Sequence, residues 1–207
     1  MDISLRRAVG YVPVTMLGVF LACSALAVAG IFHAEVRDLF LGGTVLFNPL
    51  VYTINIFFHG DWGHYAGNMT LWVPFATLLT WLTSNRHVLL VVVTVNFMTV
   101  VTAIFIEGVG LGLSHVVLGV GAAALVRSID YAFADTSPEG IQTLVVGIMS
   151  PLAVGFFLVM VLAGPRLIAD FYHFLGFLFG SAIEAMYVFS GRESDGGGRT
   201  VPKRIGR

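Results

Sequence analysis

The chain reads as an all-α polytopic membrane protein, a six-transmembrane-helix bundle with a long outer loop between helices 1 and 2. Three observations carry that reading. Of its 207 residues, 57% are hydrophobic and only 11% charged, with a mean hydropathy of +0.89. That is too little charge to clothe a soluble globule of this size. Six apolar runs, at 11–32, 64–83, 87–106, 113–134, 141–163 and 168–190, each approach the ~20 residues that cross about 30 Å of hydrocarbon. The basic residues also fall asymmetrically among the connections between these runs.

The first run follows Arg6 and Arg7 and contains the single cysteine, Cys23. A lone cysteine forms no internal disulfide and reads as packed or lipid-facing filler. No small-residue cleavage site followed by a soluble domain trails this run, so it reads as a retained span rather than a removable signal. About 30 residues then lead to the second run, and the apolar stretch Val45 to Leu50 suggests an interfacial loop. The polar turn Ser84-Asn85-Arg86-His87 separates the second and third runs. The fourth run is the least regular, because Arg127 and Asp130 fall near its end and allow the helix to stop before Tyr131. Thr136-Ser137-Pro138-Glu139-Gly140 closes it, and Gly164-Pro165-Arg166 separates the fifth run from the sixth. Residues 1–190 thus form one membrane domain. Residues 191–207, with Gly196-Gly197-Gly198 and scattered charge, read as a flexible cytosolic tail.

Charge sets the orientation. With a cytoplasmic N-terminus, Arg6, Arg7, Arg86, Arg127, Arg192, Arg199, Lys203, Arg204 and Arg207 lie inside, and only Arg37 and Arg166 outside. Both termini are therefore expected in the cytoplasm of a cell-membrane protein. A net charge of -1 argues against a nucleic-acid partner. The chain shows no inverted repeat of the kind transporters carry.

Three polar islands interrupt the apolar runs: His59/His64/Asn68, Gly112-Leu113-Ser114, and His173-x-x-Gly176-x-x-x-Gly180. Polar and ionisable groups at membrane depth cost a few kcal/mol and so tend to mark sites. In the topology above, the second, fourth and sixth helices all run inward and start near His64, Ser114 and His173. All three islands therefore fall in the outer third of the membrane. Ser114 and His173 form a natural nucleophile and general base, since a serine hydroxyl attacks only when a neighbouring imidazole takes its proton. His173, Gly176 and Gly180 follow i, i+3, i+7 and share a helix face, on which small residues permit close backbone approach. Gly121 and Ala122 on the fourth helix suit such an approach. His64 and Asn68, one turn apart, can donate hydrogen bonds to a developing oxyanion, as can the Ser114 N–H at a helix start. Five residues correspond to about 140° of helix rotation, so His59 does not share the face of His64. It reads as a structural residue of the preceding loop.

The spacing His59-x4-His64-x3-Asn68, Gly112-Leu113-Ser114 and His173-x2-Gly176-x3-Gly180 over three separate helices resembles the rhomboid intramembrane serine proteases. The resemblance covers roughly residues 11–190. It implies a Ser114–His173 dyad, with His64 and Asn68 near the oxyanion, and it implies no metal and no cofactor. The expected reaction is peptide-bond cleavage in transmembrane segments of single-span proteins, which enter from the lipid bilayer between the second and fifth helices. Three positions depart from the usual pattern. His115 follows the serine where the family has glycine; it could crowd the substrate, perturb the dyad or point elsewhere. Leu118 stands where an aromatic often supports the catalytic histidine, and no Trp-Arg pair lies between His33 and Trp62.

Two other classes compete with this reading. One is a catalytically inactive relative that binds transmembrane helices; retention of both dyad residues and both oxyanion side chains argues against it. The other is a metal or haem protein using His59, His64 and His173; no His-Glu-x-x-His sequence or cysteine cluster accompanies them. Asn96 reads as an interhelical hydrogen-bonding group, and Glu184 as a residue that pairs with a basic group or reaches the cytoplasmic interface. Trp62, Trp72 and Trp81 include interface anchors.

Overall fold

The computed structural model describes residues 12–32, 52–105, 112–133, 151, 155 and 167–194. Five helices account for most of them: α1 Val14–Val28, α2 Trp62–Leu82, α3 Asn85–Ile104, α4 Ser114–Phe133 and α5 Leu167–Ser194. A short 3-10 turn, Asn55–Phe57, precedes α2. These helices answer to the first, second, third, fourth and sixth hydrophobic runs. Apart from residues 151 and 155, the fifth run lies outside the described residues, as do Arg37 and Val45 to Leu50 of the expected outer loop.

Each helix boundary has a local cause. Asp61 caps α2 by accepting the backbone N–H of His64 at 2.8 Å. Thr83 and Ser84 separate α2 from α3, and the Ser84 hydroxyl accepts the His87 N–H at 3.2 Å. Gly112, at φ +122°, turns the chain into α4 through a conformation that L side chains rarely adopt. α4 continues past Tyr131 to Phe133, so Arg127 and Asp130 do not end it. Arg127 is accommodated because its guanidinium pairs with Glu184.

α4 is the centre of the bundle and packs against α2, α3 and α5. Its Val116, Val117, Val120, Ala123 and Ala124 are buried among Trp72, Phe75 and Leu79 of α2 and Val88, Val91 and Val95 of α3. α5 approaches α4 most closely. A Cβ placed on Gly176 would overlap the His115 backbone, and one on Gly180 would overlap the Gly119 backbone. Gly121, expected from sequence to serve this approach, instead faces the ring of Phe75 on α2, and Gly119 takes its place against α5. Since both pairs advance together, 115 with 176 and 119 with 180, α4 and α5 run parallel.

α1 is held to the bundle by hydrogen bonds. Trp72 Nε1 donates to the Met16 carbonyl at 3.0 Å, and the Ser24 and Tyr65 hydroxyls meet at 2.6 Å. Asn85 accepts from the Thr15 N–H and donates to the Val12 carbonyl. Trp72 is therefore core rather than an interface anchor, whereas Trp62 and Trp81 are exposed. Cys23 is packed filler, fully buried.

The outward faces are apolar. Leu89, Leu90, Val93, Phe97 and Met98 on α3, and Phe174, Leu178, Met186 and Phe189 on α5, are exposed. Contiguous apolar surface of this kind is unstable in water and suits lipid. Among the described residues, two helical stretches, Asn85–Thr102 and Phe171–Ser190, are long and apolar enough to cross a membrane, and α1 is a shorter apolar helix.

At the end of the bundle opposite Ser114, Glu184 is fully buried between α3 and α4. One carboxylate oxygen meets His87 Nε2 at 2.5 Å and the other meets the Arg127 guanidinium. Asp130 flanks Arg127 at 3.9 Å. The expectation that Glu184 pairs with a basic group is met twice.

Adding a methyl at the glycine contact should cost about 1–3 kcal/mol through overpacking. Gly180→Ala is therefore expected to unfold earlier in detergent titrations than Gly18→Ala, whose Cβ meets nothing within 4 Å. Glu184→Ala leaves the buried Arg127 guanidinium and the His87 ring without their carboxylate, a loss of about 3–5 kcal/mol that the same titration measures. At Asp61, the hydrogen bond from the His64 N–H holds the carboxyl below its usual range. Its contribution is thus present above the unfolded carboxylate value of about 3.9 and is lost as pH falls through the lower folded value. The stability gap between wild type and Asp61→Ala should be open at neutral pH and close in acid, while Asp61→Asn, which keeps a capping oxygen, should show little gap at neutral pH.

Candidate active site

The three polar islands converge at the N-terminal ends of α2, α4 and α5. Ser114 is the first residue of α4 and is half-buried. Its backbone N–H belongs to the first turn, where helical donors have no partner within the helix. His173 lies one turn before Gly176 on the face of α5 that meets α4. Gly176 lies against His115 and Gly180 against Gly119, so the same register carried outward sets His173 level with Gly112 to Ser114.

His64 approaches from α2. A Cβ on Gly112 would meet His64 Cε1 at 3.2 Å and Nε2 at 3.7 Å, so the imidazole edge lies along the turn that leads into Ser114. The Gly60 N–H donates to His64 Nδ1 at 3.2 Å. That bond requires a lone pair on Nδ1, which leaves the ring proton of the neutral form on Nε2, the nitrogen on the Gly112 side. Loop residue Gly60 thus sets the tautomer that makes His64 a donor towards the serine turn. Asn68, one turn below, is buried, and its Nδ2 has no hydrogen-bond partner among the described residues.

His59 lies in the loop ahead of α2, off the helix. It is buried, with its ring edge-on to His64 at 5.4 Å and to Tyr65 at 5.5 Å. It supports the His64 ring from behind. Phe32 and Trp62 extend this aromatic group at 5.9 Å.

The loop ahead of α2 also reaches the serine turn directly. The Gly112 N–H donates to the Asn55 carbonyl at 3.1 Å, and the Phe58 carbonyl lies beside Gly112. Asn55 was not singled out from sequence. Its signal there is an amide side chain within the apolar run Val51-Tyr52-Thr53-Ile54-Asn55-Ile56-Phe57, and it is fully buried in the structure.

His115 turns away from the serine. Its ring is buried, and Nε2 meets Asn96 Oδ1 of α3 at 3.0 Å. Asn96 Nδ2 in turn donates to the Tyr52 carbonyl at 2.8 Å. Asn96 is thus an interhelical hydrogen-bonding group, and of the three readings open for His115 the geometry selects the one in which it points elsewhere. Leu118 is buried in the α4 core. Among the described residues, no group of three or more His, Cys, Asp or Glu is arranged to hold a metal ion.

No curated protein and no solved structure matches the chain significantly. The family model described as Rhomboid domain matches residues 48–190, a span that contains residues 52–61 ahead of α2, the serine turn, His173 and the glycine contact. The chain belongs to the rhomboid family, whose members are generally serine intramembrane proteases.

Proposed function

We propose that this chain is an intramembrane serine endopeptidase that cleaves transmembrane segments of single-span membrane proteins. The observation that carries the reading is the glycine-mediated contact between α4 and α5. It sets the His173 helix against the helix that opens with Ser114, at the level of the serine turn. In this reading His173 takes the proton of the Ser114 hydroxyl as it attacks the scissile carbonyl, and returns it to the leaving amine. Charge then develops on the carbonyl oxygen. His64 Nε2–H, Asn68 Nδ2–H and the Ser114 N–H are the donors placed to receive it. Water releases the acyl-enzyme, by a route that needs no metal or cofactor.

Several features support a multi-pass arrangement in the cell membrane. α4 and α5 run parallel, so an odd number of crossings separates them, which supports reading 141–163 as one further span and six in all. The positive-inside bias supports cytoplasmic termini, which puts the Ser114 end of the bundle in the outer leaflet. Substrate would come from the lipid bilayer.

The test is fluorophosphonate labelling of the folded protein in detergent. Wild type should label, and Ser114→Ala and His173→Ala should not. Asn68→Ala should still label but about 10²–10³-fold more slowly, the typical consequence of removing one oxyanion donor. Folded wild type that captures transmembrane peptides and never labels would instead identify a non-catalytic rhomboid that binds helices.

A further inference from the structure

His115 occupies the position after the proposed nucleophile, where a bulky polar side chain is unexpected. It is the one large polar residue on the turn, and it is buried with a partner rather than displaced. The direction of its hydrogen bond is settled by what Asn96 does with its other end. Asn96 Nδ2 is committed to the Tyr52 carbonyl, so Oδ1 is the end that meets His115 and can only accept. His115 Nε2 must therefore carry the proton and donate.

These contacts close on themselves. His115 donates to Asn96, Asn96 to the Tyr52 carbonyl, the chain runs from Tyr52 to Asn55, and the Asn55 carbonyl accepts the Gly112 N–H, two residues before Ser114. Three hydrogen bonds and two short stretches of backbone form a ring through the outer loop, α3 and the start of α4. Ser114 lies on that ring between its two anchored ends. The backbone of His115 is meanwhile in contact with Gly176 of α5, so one residue is fixed by its side chain to α3 and by its main chain to the helix of His173.

We propose that His115 is a positioning residue for the nucleophile: its hydrogen bond to Asn96 closes a ring that holds the Gly112–Ser114 turn at the depth of His173. This rests on the protease reading above for its consequence in catalysis, though the ring itself does not. A nucleophile displaced by about 1 Å can lose on the order of 10²-fold in rate. His115→Leu and Asn96→Leu break the same ring at different points, so their effects should not multiply. His115→Gln carries an amide N–H to nearly the place of Nε2 and should restore what leucine removes.

The experiment measures fluorophosphonate labelling of Ser114 alongside hydrogen–deuterium exchange of the Gly112 amide, in the full chain in detergent. Expected are a roughly 10- to 100-fold lower maximal labelling rate in His115→Leu and in Asn96→Leu, with unchanged half-saturation by the probe. The double variant should be no slower than either single one, His115→Gln should recover, and Gly112 exchange should be faster in both leucine variants. Wild-type labelling in His115→Leu, multiplied losses in the double variant, or unchanged Gly112 exchange would each overturn the proposal. If wild type itself never labels, the protease reading falls, and Gly112 exchange alone then decides whether the ring exists. If His115→Leu fails to fold, His115→Asn replaces it: its amide is too short to reach Asn96, and equal behaviour of His115→Asn and His115→Gln would also overturn the proposal.

Discussion

The structure depends on one contact, the passage of two helix backbones across Gly176 and Gly180. Membrane helices gain little from the hydrophobic effect against one another, because lipid is as apolar as a leucine side chain. Close packing has to come from backbone approach, and only residues without a Cβ allow it where His115 and Gly119 meet Gly176 and Gly180. Two pairs spaced by one turn determine rotation, depth and direction together. A single glycine would have fixed the distance and left the register free to slide. The proposed dyad is therefore set by residues that take no part in chemistry.

Polar groups in the bundle divide into two levels with an apolar core between them. The level at the opposite end is ionic: Arg127 pairs with Glu184, His87 meets the same carboxylate from a third helix, and Asp130 stands at the margin. Buried charges cost several kcal/mol each to desolvate, and what keeps them tolerable is that both Glu184 oxygens are occupied. The level at the Ser114 end is built from histidine, amide and backbone groups, with Asp61 at its edge. The ionic level fixes α3, α4 and α5 at one end, and the glycine contact with the hydrogen-bonded ring fixes them at the other. Between these points the helices are held at both ends.

Much of this was legible in the amino-acid sequence, for physical reasons that differ by residue. Helix positions follow from hydrocarbon thickness, which is why the predicted runs and the described helices agree to within a few residues. Gly176 and Gly180 were legible because i, i+3, i+7 spacing puts small residues on the face of His173. Asn96 stood out as an amide within an apolar run, and Glu184 as a charge that had to find a partner. Three features were not legible. The end of α4 depended on Arg127 finding Glu184, 57 residues away, and no local pattern reports so distant a pairing. Trp72 resembles an interface anchor by residue type, but its depth and its bond to Met16 come from how α1 lies on α2. Asn55 acts through its main-chain carbonyl, and a carbonyl is the same on every residue.

In the proposed ring, His115 is a departure from the family pattern that adds a contact rather than removing one. Glycine after the serine leaves the turn to be held by its neighbours alone. A histidine in that place must either project into the space a substrate strand needs or find a partner behind the turn, and an unpaired imidazole in the apolar core would cost a few kcal/mol. Asn96 removes that cost, and the Tyr52 carbonyl removes the cost of Asn96 in turn. The same logic holds on the other side of the serine, where Gly60 orders the tautomer of His64 and the ring of His59 backs it. His64 and His115, on either side of the proposed nucleophile, are thus each held by a second group. Such preorganisation gives oriented dipoles their value in hydrolysis, because donors already aimed at the developing charge need no rearrangement when it appears.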